Sequence, residues 1–168
     1  MRAVLPLFCL ALVAACTEPS PSPAANDAAA ELPASARAAS SACDILTLAD
    51  ARMALGREAD VEKLDADGGP AGLDLCQYGY QGEAMLDIGN VSVTIQPVDL
   101  ATVKAGAEEQ GYKLEPIIGV GDAAYYSPDI GLYVGKGNRT AIYLLAANGM
   151  TDSKERSIAL ARATVGRL

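Results

Sequence analysis

The segment Ala141-Ile142-Tyr143-Leu144-Leu145-Ala146 is apolar at every position, and it restricts the fold more than any other stretch of the chain. A strand with one wet face alternates apolar and polar residues. A run without alternation is explained by a central strand covered on both sides, or by one whose second face is left open for a partner. The segment before it reads as its hairpin mate. With Gly137 and Asn138 as the turn, Val134 stands opposite Ala141 and Leu132 opposite Tyr143, while Tyr133 and Ile142 share the other side.

The remaining elements follow from periodicity and caps. Val91, Val93 and Ile95 alternate with Ser92, Thr94 and Gln96, the pattern of a strand with one solvated face. Leu75 to Gln81 predicts a further strand. Ala123 to Ser127 starts a meander that turns at Pro128 and Asp129 and continues through Leu132 to Lys136 and Arg139 to Ala146. Thr47 caps a short helix with Leu46, Ala49 and Met53 on one face and a stop at Gly56. Asp99 caps a second, in which Leu100, Val103 and Ala107 share a face before Gly111. A third begins at a capping box from Asp152 to Glu155 and turns Ile158, Ala161, Val165 and Leu168 to one side. Helices combined with antiparallel strands predict an α+β fold: a single small domain over residues 42–168, mostly antiparallel sheet with two or three helices packed on it.

What precedes that domain cannot join its core. Residues 1–15 carry a positive start at Arg2, an apolar stretch from Val4 to Val13 and small residues at Ala14 and Ala15, the parts of a secretory signal too short to span a bilayer. Val13-Ala14-Ala15-Cys16 resembles the bacterial lipobox. The resemblance implies cleavage before Cys16, lipid on its thiol and acyl chains that hold the product on a membrane. Thr17 rather than Asp follows the cysteine, which favours the outer membrane, facing the periplasm, if the source is Gram-negative. Residues 16–41 then read as a lipidated cysteine and a disordered Ala/Pro/Ser tether, with Pro19, Pro21, Pro23 and Pro33 opposing any helix.

Cysteine count and charge narrow the chemistry. Of the four cysteines, Cys9 leaves with the signal and Cys16 takes the lipid, so Cys43 and Cys76 are expected to form a disulfide in an oxidising compartment. The 21 acidic residues against 13 Lys and Arg make nucleic acid a poor partner. The chain contains no histidine, which removes the usual general base, the imidazole metal ligand and the Ser-His and Cys-His dyads. No metal or other cofactor is expected. The pairs Asp65/Asp67 and Glu108/Glu109 are adjacent residues on a loop and a helix, read as solvated surface rather than the opposed carboxylates of a hydrolase. Gly119-Val120-Gly121 reads as a tight turn.

Tyrosine supplies every aromatic ring after the leader, seven in all with no Trp. Such rings suit core edges and wet interfaces alike, and Tyr125, Tyr126 and Tyr133, clustered on the meander, are the candidate binding residues. Cys43-Asp44-Ile45-Leu46-Thr47, the helix ending at Leu55-Gly56, Cys76-Gln77-Tyr78 and Gly119 to Tyr125 together resemble a class of small bacterial envelope lipoproteins to which no chemistry is assigned. That resemblance implies a lipid-anchored extracytoplasmic α+β domain with the two cysteines paired and no catalytic residues to carry over. The expected function is a non-enzymatic binding or structural module at the cell envelope, with the membrane and another envelope protein as partners. The alternative is an inhibitor or immunity protein acting on a basic enzyme such as a lysozyme.

Overall fold

A computed structural model describes residues 41–64 and 73–168. The leader, Cys16, the tether and the loop containing Asp65 and Asp67 lie outside the described residues. Helices α1 (Ala42–Ile45), α2 (Leu48–Leu55), α3 (Leu100–Glu109) and α4 (Ser153–Thr164) accompany one antiparallel sheet. Its strands are β1 (Glu62–Lys63), β2 (Asp74–Gln81), β3 (Ile88–Gln96), β4 (Glu115–Ile117), β5 (Ala123–Ser127), β6 (Gly131–Lys136) and β7 (Arg139–Ala147). The spatial order is β1-β2-β3-β7-β6-β5-β4. The apolar run of β7 therefore occupies the middle of the sheet, bonded to β3 on one edge and β6 on the other. The hairpin register is the expected one, Val134 to Ala141, Leu132 to Tyr143 and Tyr133 to Ile142.

Alternation along these strands sorts side chains onto two faces. On the first, Cys76, Val91, Val93, Ile95, Leu132, Val134, Ala141 and Tyr143 form the core with α1, α2 and α4 packed over them. The Cys43–Cys76 disulfide joins α1 to β2. It therefore staples a four-residue helix capped by Ser41, one not anticipated from the sequence, rather than α2.

Two expectations about helix faces and caps are corrected. The buried side of α2 is Asp50, Ala51, Ala54 and Leu55, whereas Ala49 and Met53 are exposed. Asp50 is turned inward because Arg167 reaches it from the chain's end, its two Nη atoms donating to both carboxylate oxygens at 2.5 and 3.3 Å. Arg167 also donates to the Ile45 carbonyl at 2.7 Å, so one guanidinium ties α1, α2 and the final turn together. In α4 the expected Ala161 is buried and Ile158, Val165 and Leu168 pack half-buried against the core, with Ser157, Leu160 and Thr164 buried beside them. The capping box there does not form. Asp152 makes no side-chain cap bond, because its carboxylate accepts from Arg156 Nε at 2.8 Å instead.

Candidate functional site

The second face of the sheet differs from the first in chemistry and in cover. Across β2, β3, β7, β6 and β5 it carries no charged side chain, in a chain whose residues are 20% charged. One rung of the register runs Leu75, Thr94, Ile142, Tyr133, Tyr125, and the next runs Gln77, Ser92, Leu144. Among the described residues a single helix, α3, lies on this face.

Local sequence explains how α3 is held there. Asp99 accepts the Thr102 backbone N–H at 2.9 Å, starting the helix as expected, and Thr140 Oγ1 donates to the Val98 carbonyl at 2.9 Å, fixing the approach to the sheet. Leu100 then packs on Gly135. A Cβ at that glycine would stand 2.7 Å from the Leu100 Cβ, so the close approach requires the missing side chain. Leu100 and Ala107 are the buried residues of this helix. Val103 shares the side of Ala107 as expected, and both line a cleft between α3 and the sheet.

The cleft encloses about 410 Å³, within the range of small-ligand pockets. Tyr133 and Ile142 come from the sheet, Gln96 and Val98 from the end of β3, Val103, Gly106 and Gln110 from α3 and its cap, and Tyr112 and Ile130 from flanking turns. Tyr133 is only 8% exposed, yet no hydrogen bond among the described residues engages its hydroxyl. Burial pushes the Tyr133 phenol above its ordinary pKa, and nearby Tyr112 adds to that, so the group is a neutral donor and acceptor at physiological pH. Gly106 sits in the middle of a helix where glycine is unfavourable, and a Cβ there would meet nothing within 4 Å. The space in front of it is open.

The three tyrosines singled out from the sequence do not form one cluster. Tyr125 and Tyr133 are directly opposed partners on the second face, whereas Tyr126 points to the first, where the Lys154 ammonium lies 5.5 Å from its ring centroid. Lys104 stands 5.4 Å from the Tyr125 ring centroid and is ion-paired with Glu108 at 2.6 Å, so the candidate carboxylate Glu108 is a surface partner. Glu109 is exposed beside it. Gln96, Gly106, Gln110 and Tyr112 were not marked as site residues by the sequence. The one local signal was a glycine at position 106 inside an otherwise regular helix.

A second exposed feature lies at the hairpin joining β2 to β3. Met85 is 91% and Leu86 67% exposed there, with Ile88 beside them. The described chain enters at the other end of β2, where the Ala42 N–H donates to the Asp74 carboxylate. The eight residues of β2 separate the two ends by about 23 Å. Gly119 and Gly121 adopt positive φ around buried Val120, the tight turn expected of that segment. Among the described residues no group of three or more His, Cys, Asp or Glu side chains converges as a metal site. No protein family, no curated protein and no solved structure matches this chain.

Proposed function

We propose that this protein is a lipid-anchored lipoprotein of the bacterial cell envelope, held at Cys16, whose folded domain is a non-enzymatic binding module. The observation that carries the binding role is the second face of the sheet. An acidic domain has kept five adjacent strands free of charge on one side, covered half of that side with α3 and left the remainder open. Desolvating such a face costs little compared with a charged one, which suits contact with another molecule. The anchor rests on the lipobox at Val13 to Cys16. Ser41 opens the described chain at the Asp74 end of β2, so a tether entering there leaves the rest of the sheet clear of its attachment.

Two measurements test the two halves separately. Mass spectrometry of the processed protein is expected to show a diacylated, N-acylated Cys16, and an unmodified amino terminus would remove the anchor. Photo-crosslinking in cells from an exposed residue on the open face, such as Ala146, is expected to trap a discrete envelope partner. A control crosslinker at Ala49, on the exposed side of α2, is expected not to trap it. Equal labelling from both positions, or from neither, would remove the binding role.

A further inference from the structure

We infer that the cleft beneath α3 is a binding site for a neutral oligosaccharide, a proposal that rests on reading the uncharged face as a binding surface. The chemistry of the lining selects among ligand classes. An ionised ligand would lose its hydration against walls that offer no counter-charge. Lys104, on the same helix, is already committed to Glu108 at 2.6 Å. A purely apolar ligand such as an acyl chain would seal the Tyr133 hydroxyl and the Gln96 and Gln110 amides away from water without partners. A peptide added as an extra strand needs a free sheet edge. The strands under this cleft, β3, β7 and β6, are each paired on both sides.

A sugar meets each of these conditions. Its hydroxyls both donate and accept, as do the tyrosine hydroxyls and glutamine amides facing the cleft, while its C–H faces pack on the rings of Tyr133 and Tyr112 and on Ile142. Tyr133 is nine-tenths buried and its hydroxyl has no partner among the described residues, which leaves a hydrogen bond for the ligand to complete. Gly106 keeps the entrance open. Beyond the helix the same sheet face continues with Thr94, Gln77 and Asn90, neutral hydrogen-bonding groups on strands about 4.8 Å apart, so more than one sugar unit finds a surface.

The test uses the full mature protein in a detergent without a sugar headgroup, titrated with chitotetraose and with maltotetraose, and with tetra-alanine and tetragalacturonate as controls. With no Trp in the chain, intrinsic fluorescence reports tyrosine alone. A saturable change with at least one neutral tetrasaccharide is expected, and little with either control. Gly106→Leu, which fills the entrance, is expected to weaken that binding at least tenfold while the thermal midpoint stays at or above that of the parent. Tyr133→Phe is expected to weaken it several-fold, and Met53→Ala, on the helical side, to leave it unchanged. No saturable response up to about 10 mM sugar, an undiminished response in Gly106→Leu, or a larger response to tetra-alanine or tetragalacturonate would overturn the inference. If sugars fail while the crosslinker at Ala146 still traps a partner, this inference falls and the binding module stands. If both are silent, both fall.

Discussion

The buried pair Tyr143 and Thr164 yields a prediction whose sign depends on the direction of one proton. Both residues are fully buried, and their oxygens are 2.9 Å apart. The Thr164 hydroxyl also lies 2.9 Å from the Leu160 carbonyl, which can only accept, so the single threonine proton is committed there. Tyr143 must therefore donate to Thr164. Tyr143→Phe removes a donor and leaves behind an oxygen lone pair, and it is expected to cost about 1 kcal/mol, the net worth of one hydrogen bond. Thr164→Val removes the acceptor and strands a phenolic proton in the core, a cost of about 2 kcal/mol. The double variant replaces both partners with apolar groups of the same shape and is expected to cost less than the sum by about 1 kcal/mol or more. Urea unfolding followed by far-UV circular dichroism measures all four corners of the cycle. Tyr143→Phe proving as costly as Thr164→Val, or strict additivity of the two, would refute the assigned donor direction.

Two further perturbations have definite expected outcomes. Cys43 and Cys76 are 33 residues apart, and closing a loop of that length lowers unfolded-state entropy by an amount worth about 3.7 kcal/mol at 25 °C. Replacing both by alanine is expected to lower the urea midpoint by an equivalent amount, and a loss under about 1 kcal/mol would show that the unfolded chain is not restrained by the bond. Burial alone would raise the Asp50 carboxyl, but hydrogen bonds from Arg167 and Thr47 outweigh it and hold the group below its ordinary pKa. The ionised form therefore stabilises the fold above the unfolded value of about 3.9, and that contribution is lost as pH falls below it through the folded value. Asp50→Asn is expected to cost about 1–3 kcal/mol at pH 7 and to show a shallower acid loss than the parent in urea titrations from pH 6 to pH 2, and identical acid profiles would sink the assignment.

What was legible in the sequence was local. Period two at Val91 to Gln96 was sufficient to find β3, and the Gly137-Asn138 turn was sufficient for the register of β6 on β7, because a two-residue turn and a buried face leave no room for a slip. The α2 face was misplaced for a non-local reason. Asp50 points inward because Arg167, 117 positions later, arrives to neutralise it, and nothing near Asp50 in sequence announces that partner. The cap at Asp152 failed through local competition, since Arg156 one turn later claims the same carboxylate. The cleft was not legible at all. Its walls come from β3, α3, β6, β7 and two turns, and its diagnostic properties, a tyrosine that is mostly buried with a hydroxyl bonded to no described residue and a glycine facing open space, exist only once those parts are assembled.

The second face of β7 is covered along one part of the apolar run and uncovered along another. The ten residues of α3 make a cylinder about 15 Å long, whereas seven strands span about 29 Å, so one helix cannot cover the face. Ile142 falls beside the cleft under α3, while Leu144, two residues on, is 42% exposed next to Ser92. If that exposure serves contact with a partner rather than packing, Leu144→Thr is expected to leave stability within about 0.5 kcal/mol, since threonine is a good strand former and little apolar burial is lost. The same change is expected to reduce crosslinking from Ala146, two residues along the same face of β7. A loss of more than about 1.5 kcal/mol would instead make Leu144 a core residue of a face closed by some other part of the chain, and the open half of the sheet would then have no claim on a partner.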